Sequence, residues 1–287
     1  MKIALIGTTP IIIIKALLLS KENDVTIFEG SKKLGGAWSF GKYKDISYPE
    51  KTNVIVPDNK NEEKFIYKIK EYLNKNFKMK IVENKKKYSN KTDYKPKKVF
   101  IFDLKKIFLK LKNSNIKIKK KWVKSLKIKK NKVIINSKFI YDQVNLPFFI
   151  KLDTAIINKK KYNFSFNEKF NKHIQFITKK FFTKEFYYWE DYNKFFDRTQ
   201  LLKKEPYFLF TARIKKLYKH FSKEKLFKLS DFKIKKKDLI KLKLIEYTHH
   251  YRDKKQIKEL IKLNQFKEIN IIDTNQFVSA FKKLKII

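Results

Sequence analysis

Three short segments of this chain have residue types and spacing that could do chemistry: Gly7-Thr8-Thr9-Pro10, the lone Glu29, and Lys33-Leu34-Gly35-Gly36-Ala37-Trp38. A glycine at the end of an apolar run lets the backbone turn sharply. Pro10 suits a first helical turn, where its fixed φ and missing N–H cost nothing. Such a turn aims the free N–H groups and positive dipole end of the following helix at an anion, phosphate above all. The hydroxyls of Thr8 and Thr9 are further donors to a phosphate. An acidic residue about 20 residues beyond a loop of this kind can accept hydrogen bonds from both hydroxyls of a ribose, and Glu29 stands at that distance.

These residues need elements to hold them. Lys2-Ile3-Ala4-Leu5-Ile6 reads as a buried parallel strand ending at Gly7, Pro10 to Leu19 as a helix running to Ser20-Lys21, and Val25 to Phe28 as a second buried strand, a right-handed β-α-β unit. Further on, Glu62 to Phe77 has helical spacing, Glu83 to Lys98 reads as a solvated turn or mobile hairpin, Val99 to Phe102 as a strand and Leu104 to Leu111 as a helix. Short strands are expected at Ile116 to Ile118, Val123 to Ile128, Val133 to Ile135 and Gln143 to Phe149, with Asn131 in a turn. Lys151 to Ser230 reads as less regular and unusually aromatic. Ile245 to Tyr251 resembles a strand, Lys255 to Leu263 a helix and Ile269 to Ile272 a strand. Asp273-Thr274 then offers an N-cap to a closing helix with Phe277, Ala280, Phe281 and Leu284 on its apolar face. This order predicts an α/β fold: a parallel sheet with helices, plus an inserted β-rich or α+β second layer. The expected domains are 1–150 with 240–287, discontinuous, and a substrate or cap-like segment at 151–239.

In dinucleotide-binding folds a first glycine permits the tight bend, a second lets the backbone approach the pyrophosphate, and a third lets helix and strand pack closely. Gly7 is the first of these; Thr9 and Ile12 stand at the other two positions. With Glu29 and Lys33-Leu34-Gly35-Gly36, the segment resembles the N-terminal region of the FAD-dependent oxidoreductase superfamily, the amine oxidase, phytoene desaturase and UDP-galactopyranose mutase group. The resemblance covers residues 2 to 40. It implies an FAD/NAD(P)-binding Rossmann-like sheet with FAD as cofactor. On that reading Gly7 turns the loop, Glu29 holds the adenosine ribose, Lys33 stands near a phosphate, Gly35 and Gly36 bring backbone close to the cofactor, and Trp38 lies towards flavin and substrate. The implied function is an FAD-dependent oxidoreductase-like protein of unnamed substrate. The alternative, motivated by Thr9 and Ile12 filling the loop, is a non-catalytic binding protein on the same scaffold.

Composition narrows the remaining classes. The formal charge is +43, yet of 71 basic residues only Arg198, Arg213 and Arg252 are Arg, leaving 68 Lys. Lys, Ile, Asn, Phe and Tyr share A/T-rich codons, so an AT-biased genome accounts for the charge, and nucleic acid is not the expected partner despite the attraction such a field exerts on polyanions. The absence of Cys excludes disulfides, thiolate metal sites and a Cys nucleophile. The apolar run Pro10 to Leu19 falls short of the roughly 20 residues of a membrane span. Lys2 followed by Ile3 to Leu19 imitates a signal peptide, but no small-residue cleavage site follows and a strand begins at Asp24, so a cytoplasmic protein is expected. His249-His250 lie on a strand, where neighbours face opposite ways, and no metal site is expected; His173 and His220 stand alone. No Gly-x-Ser-x-Gly elbow occurs. Glu185, Glu190 and Asp191 near Trp189 read as a solvated edge, and the aromatics from Phe181 to Trp189 as core. The Lys runs at 84–87, 118–121, 159–161 and 234–237 read as solvated turns and helix faces.

Overall fold

The β-α-β unit forms where the sequence predicts it: strand β1 is Lys2–Ile6, helix α1 is Pro10–Leu19 and strand β2 is Asp24–Phe28. The structure is a computed structural model and describes residues 1–35, 38–44, 46–49, 55–57, 59–78, 81–87, 98–102, 104–148, 150–179, 187–189, 194–204, 207–230, 234–272 and 277–283. The expectations placed on Gly36, Phe181, Phe182, Glu185, Phe186, Glu190, Asp191 and the Asp273-Thr274 cap lie outside the described residues.

The chain divides into two compact units, 1–36 with 104–169 and 249–287, and 37–103 with 170–248. Residues 37–103, read above with the first domain, thus group with the second unit. The reason is strand pairing: Ile81–Lys87 runs parallel to Tyr187–Trp189 and antiparallel to Lys98–Phe102.

In the first unit β1 is the middle strand of a five-stranded, all-parallel sheet in the order Ile269–Ile272, Gln143–Pro147, β1, β2, Lys117–Lys119. Its central strands are buried on both faces beyond their first residue, and apolar there except for Thr26 and Asn145. On one face Ile11, Ile12, Ile13, Ile14 and Ala16 of α1 are buried, and α1 neighbours helices Leu104–Lys112 and Phe277–Lys283. On the other, Ala4, Ile6, Phe28, Val144 and Leu146 join Val123, Leu126, Val133 and Ile135 in one apolar core. Of these, Leu126, Val133 and Ile135 belong to a second five-stranded sheet, in the order Phe139–Tyr141, Lys132–Ile135, Ser125–Lys129, Thr154–Ile157, Lys160–Asn163. Asn131 sits in its turn with φ 58°.

The second unit holds a seven-stranded sheet, in the order Leu239–Tyr251, Asn167–Thr178, Tyr207–Ile214, Phe196–Lys204, Tyr187–Trp189, Ile81–Lys87, Lys98–Phe102. One sequence expectation is corrected here and one narrowed. Residues 151–230 are largely strand among those described, with polar and apolar residues alternating through His173-Ile174-Gln175-Phe176. For Glu83 to Lys98, the solvated-turn alternative gives way to the paired one: Ile81–Lys87 runs antiparallel to Lys98–Phe102 and parallel to Tyr187–Trp189. Ile174, Phe176, Phe196, Phe210, Ala212 and Ile214 form this unit's core with Leu226 of helix Lys223–Lys228.

Candidate functional site

The turn after β1 is drawn tight by the Gly7 N–H, which donates to the Phe28 carbonyl at 2.7 Å. Gly7 has φ 88°, a value that disfavours a side chain, and an added Cβ would meet nothing within 4 Å. Thr9 follows in extended conformation as the residue before α1, and its hydroxyl makes no capping bond. Its Oγ1 is buried with no hydrogen-bond partner. Ile12, at the third glycine position, is fully buried.

Thr8 takes a different part. It is 1% exposed, and its hydroxyl donates to Oε2 of Glu29 while accepting the Gly35 N–H at 2.6 Å. The other carboxylate oxygen, Oε1, accepts the Ser31 N–H at 2.7 Å and the Ser31 hydroxyl at 2.6 Å. Glu29 is itself 6% exposed. The structure therefore brings Gly7, Thr8, Glu29 and Gly35 into one cluster at the ends of β1 and β2. Gly35 has φ 92°, as its turn requires.

Beyond Glu29 the chain is zipped to the strand Lys117–Lys119 and the residues that follow it. The Glu29 N–H donates to the Lys119 carbonyl at 2.9 Å, and Lys120 Nζ lies 3.3 Å from the carbonyls of both Ser31 and Lys32. Trp122 then lies flat against Gly30: a Cβ at position 30 would fall 2.0 Å from Cδ2 of the indole. Asn136 fixes that segment by donating to the Trp122 carbonyl at 2.7 Å and accepting the N–H groups of Lys124 and Ser125.

Lys33 is exposed, and its carbonyl shares the single Ser31 hydroxyl hydrogen with Glu29. Trp38 is half-buried and belongs to the second unit. Ser31, Gly30 and Trp122 escaped the sequence reading. Ser31 carried a local signal, a hydroxyl two residues after a carboxylate; Trp122 carried none, since only strand pairing brings it there.

Two further clusters are structural in character. Arg252, 4% exposed, donates to the carbonyls of Phe148, Ile150 and Leu152, tying the three together. In the second unit Asn171, His173 and Gln175 alternate along one strand and are all buried, with Gln175 Nε2 donating to Thr211 at 3.1 Å. Among the described residues no group of three or more His, Asp or Glu is placed to hold a metal ion, and no helix is long and apolar enough to cross a membrane.

The cluster can be tested against FAD. A carboxylate offers about four lone-pair sites, and a ribose diol needs two. Three of those on Glu29 are taken by the chain's own donors, and the residue is buried. The Gly35 N–H is spent on Thr8, and the face of Gly30 is covered by an indole. As arranged, the residues do not fit FAD in the way the resemblance implies.

No family model matches the chain, and no curated protein matches it in sequence. Solved structures do. A candidate protoporphyrinogen oxidase from Exiguobacterium sp. 255-15 superposes with a TM-score of 0.60 at 7% identity, over 99% of this chain and 97% of that one. Reduced UDP-galactopyranose mutase superposes with a TM-score of 0.59 at 8% identity, over 94% and 87%. A fatty acid isomerase from P. acnes that produces CLA gives 0.55 at 8%, over 94% and 93%. The fold shared with these structures is α/β, a Rossmann-like parallel sheet with additional sheets. At these identities the likeness speaks to scaffold alone.

Proposed function

We propose that this chain is a non-catalytic binding protein built on an FAD-dependent oxidoreductase scaffold. The observation that carries the reading is the bonding of Glu29: the carboxylate that would hold a ribose accepts from Thr8 and Ser31 instead. A buried, hydrogen-bonded carboxylate is costly to strip of its donors, so a nucleotide would have to displace interactions worth several kcal/mol, about 1.5–3 for each bond to a charged group, before gaining its own.

The competing reading is an FAD-holding oxidoreductase. It is favoured by the open space beside Gly7 and by the helix α1 that starts next to it. One measurement separates the two. The purified chain is incubated with excess FAD, desalted, and its visible absorbance recorded. The expected outcome is no retained flavin. A retained flavin spectrum would overturn the non-catalytic reading and justify a search for substrate and electron acceptor.

A further inference from the structure

The groups that occupy the nucleotide end of this fold are chemically specific, and they come from the chain itself. Glu29 accepts hydrogen bonds from two hydroxyls, Thr8 Oγ1 on one carboxylate oxygen and Ser31 Oγ on the other. A ribose would present its two hydroxyls to this carboxylate in the same sense. Immediately beyond, the bicyclic indole of Trp122 lies on the peptide of Gly30, close enough that any side chain there would overlap three ring atoms within 2.4 Å. An indole and a purine are both flat, two-ring aromatics of comparable size. The pairing of β2 with Lys117–Lys119, continued by the Lys119 carbonyl and Lys120 ammonium, carries Trp122 to this position, and Asn136 fixes its backbone.

We infer that the chain fills its own adenosine seat: the hydroxyls of Thr8 and Ser31 take the place of a ribose diol and the indole of Trp122 that of the base. This rests on the non-catalytic reading and deepens it, because it names what keeps an adenosine nucleotide out. The excluded group is the adenosine end, held by Thr8 and Trp122, and not the pyrophosphate end, where Thr9 and Ile12 replace glycines. Gly30 is the complement of the indole, one of only five glycines in the chain.

The test uses the full chain and two probes, ADP and inorganic pyrophosphate, titrated by calorimetry at moderate salt. Pyrophosphate measures the attraction that a +43 protein exerts on any small polyanion. The natural chain is expected to bind ADP no more tightly than pyrophosphate. W122A, and more so T8A/W122A, should bind ADP at least about tenfold more tightly than the natural chain does, with pyrophosphate affinity unchanged. T9G/I12G should gain nothing. Circular dichroism confirms folding. Should the double variant not fold, W122A decides, since the Trp122 side chain is 43% exposed and its loss opens no core cavity. If the natural chain retains FAD, this inference and the non-catalytic reading fall together; if it prefers ADP strongly over pyrophosphate, this inference alone falls. If it binds neither and the folded variants gain no ADP affinity, or T9G/I12G gains it instead, this inference alone is overturned.

Discussion

The loops that follow β1 and β2 lie side by side and are made of similar residues, yet they treat their polar groups in opposite ways. In the first region, Gly7 to α1, the costs are left uncompensated: a buried Thr9 hydroxyl with no partner, and the Lys15 ammonium partly desolvated on half-buried α1 surface. In the second, Glu29 to Gly35, the carboxylate, two hydroxyls and two N–H groups are joined in one network. Thr8, the single residue of the first turn that reaches into the second loop, is the one whose hydroxyl is used twice. A seat closed by satisfied hydrogen bonds is stable without a ligand, whereas an open one ordinarily draws part of its stability from what it binds.

The largest expected effect is at that shared residue. T8V keeps the volume but leaves Glu29 one donor short and the Gly35 N–H unpaired, and should lower stability by about 3–4 kcal/mol in urea denaturation. A loss below about 1 kcal/mol would break the contrast, since the network would then contribute little.

Lys15 comes next, with the opposite sign. Burial pushes its ammonium down from 10.5 to about 8. Between those values the unfolded chain binds more protons than the folded one, so stability attributable to Lys15 rises with pH across the window and is lost as pH falls through 8. K15M should therefore stabilise the protein at pH 7 by roughly 3 kcal/mol, and its advantage over the natural chain should shrink as pH is raised from 8 to 10.5. Thermal melts of both proteins across that range check it; a gap independent of pH would show that Lys15 is solvated.

Smaller effects sharpen the same contrast within one turn. G7A meets no steric neighbour, so any loss, expected at about 1–2 kcal/mol, reports the φ of 88° alone. T9V removes a buried hydroxyl that bonds to nothing and should be neutral or stabilising by up to about 1 kcal/mol. Adjacent threonines would thus respond to the same substitution with opposite signs.

Much of the first region was legible because its signals are local. A five-residue apolar run, a glycine, a proline at the start of a helix and a second apolar run specify β1, α1 and β2 within about thirty residues. The second unit was harder to read. Its strands alternate polar with apolar residues, but aromatic and lysine-rich stretches obscure the period of two; in the first unit, Phe139–Tyr141 is too short to stand out. Arg252 stands out in the sequence as one of three arginines; its guanidinium turns out to bind the carbonyls of a loop about 100 residues away.

By itself the sequence determined that a parallel β-α-β unit would form and that Glu29 would sit at the end of its second strand, since both follow from short-range periodicity and turn chemistry. Which groups that carboxylate would hold was decided only by tertiary structure. Thr8 and Glu29 are 21 residues apart, Thr8 and Gly35 27, and Lys120 and Ser31 89, and each pair meets through the register of neighbouring strands and the loops they carry. Hydrogen bonds at such separations depend on the placement of whole strands, so residue type alone could mark Glu29 as an acceptor but could not name its donors.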